Sequence, residues 1–371
     1  MSTVKRKSSK TYYNESGISD AIPDIQHPCG MHSGDPEQRA SPRERKSLSL
    51  SISVAMCTFN GERFLRDQLQ SIASQDRLPD ELVICDDGSS DGTAEIVRDF
   101  AQRSAFPTRF VVNDKNLGST KNFEQAISLC QGAIVALADQ DDVWYGYKLD
   151  RIEKAFLHSS ATVAAFSDAD LIDHDSRLLG VRLWSSFSFD PRKQRQFANG
   201  HALNVLLRHP VVTGATLAFR RNLFDLLTPI PADDIHDRWI SFLLAAHGQF
   251  DLIADPLMQY RRHQGQQEGL PPVIFRTRMA HARSRGEDSY FEEIQRVLKI
   301  QETLKRRRQD FQYAEYALEE IDGKISHLEH RVRLPRSKIA RIPKILQEIL
   351  NLHYWRYSGG WISIGKDLLI R

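Results

Sequence analysis

Residues 133–144 read AIVALADQDDVW, a short apolar run followed at once by three carboxylates within four positions. The apolar part predicts a buried strand over 133–138. Asp139, Asp141 and Asp142 then stand at the end of that strand, where their mutual repulsion is costly unless a cation offsets it. Hard oxygen ligands of this kind suit Mg²⁺ or Mn²⁺. A turn that only ends a strand and caps a helix is the structural alternative.

The chain upstream of this stretch alternates short apolar runs with segments of helical periodicity. Strands are predicted over 52–57, 82–85 and 109–112, and helices over 62–74, 93–100 and 119–130. This β-α-β-α-β-α-β order predicts an α/β fold with a doubly wound, mostly parallel sheet. Ligands of such sheets bind at the carboxyl ends of the strands, where the acidic stretch stands.

Two further polar clusters follow predicted strands. Thr58-Phe-Asn-Gly-Glu62 comes after the first strand, and Asp86-Asp-Gly-Ser-Ser-Asp-Gly-Thr93 after the second. Together they predict a pocket able to hydrogen-bond a nucleobase and a ribose, although either cluster alone is also typical of a turn. Neither contains GxGxxG or GxxxxGK[ST], so no motif supports a dinucleotide-binding or P-loop protein.

Two weaker signals lie downstream. Asp237, in HDRW at a predicted helix start, is a candidate general base, and a helix cap is the alternative. His263 ends YRRH after a predicted strand, where a cation or imidazole can meet a diphosphate or a metal. A solvated basic edge is the alternative there.

Composition and charge bound the class of protein. The 371 residues are 41% hydrophobic and 26% charged, which is ordinary for a globular chain. The four cysteines are too few and scattered for a disulfide framework or a CxxC zinc site, which favours a reducing cytoplasm. The sequence has no apolar run of membrane-spanning length, and its N-terminus has no signal-peptide core. The basic residues form no recognisable nucleic-acid module, so no nucleic-acid partner is expected.

Charge also divides the chain into three predicted regions. Residues 1–47 are polar, without apolar periodicity, and are predicted to be a disordered leader. Residues 48–272 hold 22 Lys and Arg against 29 Asp and Glu and form the predicted α/β domain. Residues 273–371 hold 20 against 13 and are predicted to be a basic helical extension.

Taken in order, these segments resemble the family 2 glycosyltransferases with the GT-A fold, and most of all the bacterial rhamnosyltransferase-like members that build surface polysaccharides. The matching segments span residues 54–263 and are VAMCTFNGERFLRDQLQSI, ELVICDDGSSDGT, NDKNLGSTKNFEQAI, ALADQDDVW, TGATLAFRR, HDRW and YRRH.

The resemblance implies a role for each matching position. It implies a base and ribose pocket, a metal site built on a DxD motif, a loop beside the donor sugar, and a catalytic base at a helix start. By this resemblance Thr58, Asn60, Glu62 and Asp87 would line the base and ribose pocket, with Asp139 facing the ribose. Asp141 would bind the metal, and His263 would reach the metal or the diphosphate. Thr213 and Gly214 would lie beside the donor sugar, and Asp237 would be the catalytic base.

The resemblance therefore implies an inverting, metal-dependent glycosyltransferase that uses Mg²⁺ or Mn²⁺ in polysaccharide biosynthesis. Its donor would be a nucleotide sugar, dTDP-rhamnose or a UDP-sugar, and its acceptor a hydroxyl of a glycan or lipid-linked sugar. A sugar-nucleotide nucleotidyltransferase is one alternative, although CTFNGERF is a poor triphosphate cradle. A non-catalytic glycan-binding or scaffold protein is another, against which the intact DQDD and HDRW argue.

The extension has two open interpretations. Its basic helices, with Trp355, Tyr357 and Trp361, are suited to an anionic leaflet, which would place a cytoplasmic protein peripherally on the inner face of the plasma membrane. The apolar positions between Phe311 and Val332 recur every three or four residues, which is also typical of a helix packed on a core or a partner.

Overall fold

The alternation of apolar runs and amphipathic segments before Asp139 produces the expected succession of strands and helices. The computed structural model describes residues 49–263 and 288–369. Its first half contains β1 (Ile52–Thr58), α1 (Leu65–Ala73), β2 (Glu81–Asp86), α2 (Thr93–Arg103), β3 (Thr108–Val112), α3 (Ser119–Leu129) and β4 (Ile134–Ala138). The predicted leader, and the predicted boundary at 272/273, lie outside the described residues.

The first four strands are parallel, and their register brings the polar loops to one edge. β1 pairs with β2 as far as Thr58 opposite Asp86, and with β4 as far as Met56 opposite Ala138. The chain therefore leaves all three strands at the same side of the sheet. The predicted clustering of polar segments at the carboxyl ends follows directly from this register.

The second half extends the sheet with a mixture of antiparallel and parallel strand pairs. It contains β5 (Val143–Trp144), α4 (Lys148–His158), β6 (Thr162–Ile172), β7 (Leu178–Arg182), α5 (Leu183–Ser186), α6 (Pro191–Gln196), α7 (Ala202–Leu206), β8 (Leu217–Arg220), α8 (Phe224–Leu227), α9 (His236–Ala245) and β9 (Gln249–Arg261). A π-helical turn, Phe197–His201, joins α6 to α7. The strand order is β3-β2-β1-β4-β8-β6-β9-β5, with β7 on β6.

The short strand β5 matters most for function. It runs antiparallel to β9, with Val143 opposite Gln259. This pairing lays the end of β9 beside the acidic loop that follows β4, although the two segments are more than 100 residues apart in the chain.

Strand alternation divides the core between the two faces of the sheet. Val54 and Met56 point to one face and pack with α1, α2 and α4. Ala55 points to the other, where its cluster includes side chains of α3 and α9. The predicted α/β fold, a doubly wound, mostly parallel sheet with a C-terminal helical extension, is confirmed.

One helix begins later than predicted. The helix expected from residue 62 begins at Leu65, because the residues before it bond to the next loop. The N–H of Gly61 donates to Thr93 Oγ1 at 2.8 Å, and the N–H of Glu62 donates to Asp91 Oδ2 at 3.1 Å. These bonds hold the start of the segment in a turn that joins the β1 and β2 loops.

Residues 288–369 are helical. It contains α10 (Asp288–Arg306), α11 (Ala314–Val332), α12 (Lys338–Leu350), α13 (His353–Tyr357) and α14 (Trp361–Leu369). The apolar stripe of α11 packs on the sheet core: Phe311, Ala314 and Ile321 lie in the same cluster as Ala55. Of the two interpretations left open for this stripe, packing on the core is the observed one.

The last three helices form a small cluster of their own around Tyr354 and two isoleucines. At its centre Asp367 accepts hydrogen bonds from Arg331 Nε at 2.7 Å and from the Tyr354 hydroxyl at 2.8 Å. The expectation that Tyr357 faces a membrane is wrong, since its side chain is buried against Gly323. Trp361 is 71% exposed. None of the helices described in the structure combines the length and apolarity needed to cross a bilayer.

Candidate active site

The loops after β1 and β2 are tied to one another by their own polar side chains. Thr58 Oγ1 donates to Asp86 Oδ1 at 2.7 Å in a buried bond. Asn60, whose φ is 48°, accepts from the N–H of Ser90 at 2.9 Å, and Glu62 accepts from the N–H of Gly92 at 3.0 Å. Three residues predicted for a base and ribose pocket thus lie together in two loops that are hydrogen-bonded to each other.

Asp87, the fourth residue predicted for that pocket, is buried and organises the loop after β3. Its carboxylate accepts from the N–H of Leu117 at 2.7 Å, the N–H of Gly118 at 2.9 Å and the Asn113 amide at 2.9 Å. These bonds bring the β3–α3 loop against the β2 loop. The sequence pattern suggested a ligand contact but not this second, structural use of the carboxylate.

The acidic loop after β4 holds its carboxylates in different environments. Burial, followed by the charges of Asp141 and Asp237, raises the pKa of Asp139 to about 7. Burial also raises the pKa of Asp142 well above its usual range, and the N–H of Arg261 donates to its Oδ1 at 3.0 Å. Its Oδ2 has no hydrogen-bond partner in the described part of the chain.

Asp141 and His263 are in direct contact. The Nε2 atom of His263 lies 2.7 Å from Asp141 Oδ2, and both side chains are partly exposed. The contact follows from the β5–β9 pairing, and it joins the two residues that the resemblance assigned to a metal. Among the described residues, Asp139 is not a third member of this site, because the potential ligand atoms of Asp139, Asp141 and His263 do not all lie within 4.8 Å of one another.

Gln140 is a site residue that the sequence did not single out. Its Oε1 accepts from the N–H of Phe59 at 2.8 Å, and its Nε2 donates to the Phe59 carbonyl at 3.0 Å. Gly61 leaves the room for this contact, because a Cβ there would lie 2.2 Å from Gln140 Oε1. Gln140 thereby fastens the acidic loop to the β1 loop.

Lys148 is a second residue that sequence reasoning missed. Its ammonium donates to the Ala215 carbonyl at 2.7 Å and stands 4.1 Å from the centre of the Trp144 ring. Burial lowers its pKa to about 7, against the opposite effect of Asp142 and Asp139. The available signal was its position on the apolar face of α4, in step with Ile152.

Asp237 lies in the first turn of α9, opposite the loop that contains Thr213 and Gly214. Its Oδ2 accepts from the N–H of Gly214 at 2.7 Å, while the Thr213 hydroxyl lies 3.1 Å from that of Thr216. Burial raises the pKa of Asp237 to about 6, against the lowering effect of the Gly214 bond. The carboxylate is near enough to Asp139 for its charge to raise the pKa of that group.

His236, the first residue of α9, lies beside the same loop. Its buried ring stacks on Phe123 with centroids 4.0 Å apart, and neither ring nitrogen has a hydrogen-bond partner among the described residues. Burial lowers its pKa to about 3, so the ring is neutral at pH 7. A Cβ at Gly214 would lie 2.7 Å from its Nε2, which explains why this loop needs glycine.

The arrangement combines a carboxylate–imidazole pair, a second carboxylate with raised pKa, and a carboxylate suited to accept a proton near neutral pH. Asp141 and His263 offer oxygen and nitrogen donors that fit a divalent ion such as Mn²⁺ or Mg²⁺. The unpartnered oxygen of Asp142 is consistent with a nearby positive charge. The geometry thus suits chemistry at an anionic leaving group with a base opposite it.

Comparisons with known proteins give a matching family, related sequences and a related fold. Residues 53–225 match the family described as Glycosyl transferase family 2. An uncharacterized protein of Mycobacterium tuberculosis is 26% identical over 215 residues, 57% of this chain and 59% of the relative. An uncharacterized glycosyltransferase of Nostoc sp. is 26% identical over 225 residues, 58% of this chain and 65% of the relative. The chain thus spans about three fifths of the length of these curated relatives.

The fold has a match among solved structures. S. aureus TarS, residues 1–349 in complex with UDP-GlcNAc, superposes with a TM-score of 0.51 at 17% identity, over 81% of each chain. At this identity the likeness concerns the fold, which is of the GT-A type. Residues 53–225 thus match a glycosyltransferase family, and the described fold is of the GT-A type. The rhamnosyltransferase-like subtype is not specified by these matches.

Proposed function

We propose that this protein is an inverting, metal-dependent glycosyltransferase that transfers a sugar from a nucleotide diphosphate to a hydroxyl of a glycan or a lipid-linked sugar. The observation that carries the proposal is the convergence of Asp237 with Asp139 and the Asp141–His263 pair at the carboxyl edge of the sheet. The family 2 domain supports the same reaction class.

The base and ribose pocket would be formed by Thr58, Asn60, Glu62 and Asp87, with Asp139 facing the ribose. Hydrogen bonds between the β1 and β2 loops hold this wall in place before a nucleotide arrives. A protonated Asp139, as its raised pKa of about 7 allows, can also donate a hydrogen bond to a ribose oxygen.

Asp237 would act as the base. With a pKa of about 6 it is ionised at neutral pH and still basic enough to accept a proton efficiently. The acceptor oxygen bonds to the anomeric carbon as its proton passes to Asp237, and the electron pair of the breaking C–O bond leaves with the nucleotide diphosphate. A single displacement of this kind inverts the anomeric configuration.

Asp141 and His263 would hold the metal, Mg²⁺ or Mn²⁺, and the ion would supply positive charge to the diphosphate leaving group. Gly214 and Thr213 would lie beside the donor sugar, because the N–H of Gly214 is bonded to the base itself. That bond orients the Asp237 carboxylate and limits how far its pKa rises.

Donor binding by calorimetry tests the proposal. The donors are dTDP-rhamnose, which the motif resemblance favours, and UDP-glucose, UDP-galactose and UDP-GlcNAc, each with Mg²⁺, Mn²⁺ or EDTA. UDP-glucose has independent support, since one relative is a UDP-Glc glucosyltransferase, WfgD of Escherichia coli, 28% identical over 99 residues. We expect binding of one donor that needs the metal and is lost in Asp141→Ala.

A control and two contrary outcomes complete this experiment. Asp175→Ala, which removes an exposed carboxylate from the β6–β7 loop, should bind like the wild type. Binding of nucleoside triphosphate with sugar 1-phosphate, and of no nucleotide sugar, would indicate the nucleotidyltransferase alternative. Donor binding without transfer to any acceptor sugar would indicate the glycan-binding or scaffold alternative.

We further propose that the extension rests on an anionic membrane surface, where a lipid-linked acceptor resides. Large apolar side chains of α12 and α14 face solvent, with Ile339 80%, Leu350 82% and Trp361 71% exposed. The only acidic residues between 333 and 369, Glu348 and Asp367, are both buried. The exposed charged residues of this segment are therefore all basic: Arg333, Arg336, Lys338, Lys344 and Arg356. Arg333 and Arg356 are paired with Glu329 and Glu320 of α11, so Arg336, Lys338 and Lys344 carry most of the free positive charge.

This combination matches an interfacial helix rather than a subunit contact. Each apolar side chain of this size contributes about 1.5–3 kcal/mol when fully withdrawn from water. Each basic residue adds about 1 kcal/mol near an anionic leaflet. In a bacterial cell such a surface would place the protein on the inner face of the plasma membrane, in the cytoplasm.

Flotation with liposomes tests the membrane contact. The full chain should float with vesicles that contain phosphatidylglycerol and much less with neutral vesicles, and Ile339→Asp/Leu350→Asp should abolish flotation. Leu178→Asp, at a 63% exposed leucine of β7, is the matched control and should leave flotation unchanged. Equal flotation of all variants, or a wild-type dimer that the double substitution dissociates, would contradict the proposal.

A further inference from the structure

The C-terminal helices hold a second cluster of metal-ligating side chains, far in sequence from the carboxylates of the sheet. His327 lies on α11, Glu348 on α12, and His353 begins α13. One potential ligand atom from each residue lies within 4.8 Å of the other two. Nothing in the proposed glycosyl transfer uses these groups.

The backbone is shaped to bring the three together. Only two residues separate α12 from α13, and one of them, Leu352, has a φ of 58°. That left-handed turn is unfavourable for leucine. It returns the chain so that His353 faces the carboxylate of the preceding helix.

The contacts converge on one oxygen atom. His327 Nδ1 lies 2.5 Å and His353 Nδ1 lies 3.1 Å from the same Glu348 Oε2. The His327 side chain is fully buried, that of Glu348 is 5% exposed, and that of His353 is 25% exposed. The His330 Nδ1 atom lies 3.6 Å from Glu348 Oε1 and is hydrogen-bonded to the Ser326 carbonyl.

Protons can be assigned around His327. Its Nε2 lies 3.2 Å from Ser358 Oγ, and the Ser358 hydroxyl donates to the Tyr354 carbonyl at 3.1 Å. With its proton used there, the Ser358 oxygen can accept from His327 Nε2–H. A neutral ring with that proton has its lone pair on Nδ1, directed at a carboxylate oxygen, and a proton or a metal ion between these two atoms would offset their repulsion.

This is the pattern of a ligating histidine, in which one nitrogen meets the metal and the other N–H is held by an outer oxygen. We propose that His327, Glu348 and His353 bind a zinc ion that clamps α11, α12 and α13 together. Two imidazoles and one carboxylate suit Zn²⁺ far better than Mg²⁺. In a tetrahedral zinc site ligand atoms stand about 3.3 Å apart, so the ion needs only a small opening of the cluster.

Other charges around the cluster are already compensated. Arg331, one turn from His327, is paired with Asp367 at 2.7 Å. Lys324 donates to the carbonyls of Leu207 and Tyr357, both at 2.8 Å, and stands 4.0 Å from Glu293. Glu348 is thus left to the three imidazoles and to the ion.

Elemental analysis and cobalt substitution of the full chain test the proposal. After dialysis against chelator, the wild type should take up Zn²⁺ with a Kd of about 1 µM or tighter, and Co²⁺ should give the intense visible absorption of a tetrahedral site. His353→Gln and Glu348→Gln should each lose one equivalent of zinc. Ser358→Ala should weaken binding about 10-fold or more, since it removes the outer oxygen.

Two comparisons separate this site from the proposed active site. His158→Gln, at an exposed histidine at the end of α4, should leave the zinc content unchanged. Asp141→Ala removes the proposed catalytic metal ligand and should retain the zinc that His353→Gln loses. The proposal is overturned if His353→Gln and the wild type bind equal amounts of zinc, or if Co²⁺ gives no tetrahedral spectrum with the wild type.

Discussion

Replacing Asp237 by asparagine should make the protein far less active and, above pH 6, more stable. The asparagine oxygen can still accept from the N–H of Gly214, so the loop contact is kept while the charge is removed. As a base contributes about 10²–10⁴-fold to a rate, kcat should fall by that factor. Donor affinity should change little, because the proposed mechanism has Asp237 contact the acceptor hydroxyl.

The stability gain follows from the raised pKa. The pKa of Asp237 is about 6 in the folded chain, above the ordinary aspartate value of 3.8. Such a carboxyl contributes stability that is fully present below pH 3.8 and is lost as pH rises through 6. At about 1.4 kcal/mol for each pH unit of difference, the wild type loses about 3 kcal/mol from this group. Asparagine has no such loss.

Urea unfolding of both proteins in EDTA, from pH 4 to pH 8, measures the effect. The difference in unfolding free energy should be near zero at pH 4 and should grow to about 3 kcal/mol in favour of Asp237→Asn above pH 6. The matched control is Asp233→Asn, because a hydrogen bond from Lys299 lowers the pKa of Asp233. Its difference should have the opposite sign. A pH-independent difference for Asp237→Asn would refute the reasoning.

Three further substitutions probe the rest of the site. His263→Ala should weaken Mn²⁺ binding at least about 10-fold by calorimetry, with His158→Ala unchanged; an equal affinity would show that His263 does not reach the metal. Lys148→Met should cost about 1–3 kcal/mol in urea unfolding, because it leaves the buried Ala215 carbonyl without its donor; a neutral effect would show that this hydrogen bond does not stabilise the fold. Gly214→Ala should lower kcat, and it should lower the melting temperature through a loss of about 1–3 kcal/mol in the free energy of unfolding, since its Cβ meets His236; unchanged kinetics would show that the loop adapts.

The sheet and the clustering of its polar loops were predictable because both follow from local pattern. Apolar runs of four to seven residues alternate with helical periodicity, and the parallel order of β1, β2 and β4 sends Thr58, Asp86 and Asp139 to one edge. Asp237 was predicted as a base from its motif, and the structure confirms only its expected position in the first turn of α9. These features depend on short stretches of sequence and on general rules of topology.

Contacts between distant segments were not predictable in the same way. The approach of His263 to Asp141 depends on a two-residue strand, β5, whose pairing with β9 has no strong periodic signal. Gln140 and Lys148 look like solvent-exposed polar residues until the fold surrounds them. Tyr357 was misplaced because an amphipathic aromatic is equally suited to a membrane surface and to a helix junction.

The salt bridge of α9 with the extension has a consequence for how such proteins can be recombined. Arg238, next to Asp237, lies 3.1 Å from Glu293 of α10, and Glu293 also faces Lys324 of α11. The helix that presents the base is therefore supported by the chain that follows it. A chimera that joins this domain to the tail of another protein should lose activity unless the graft also restores a carboxylate opposite Arg238. The α/β domain and the helical extension should therefore be exchanged together.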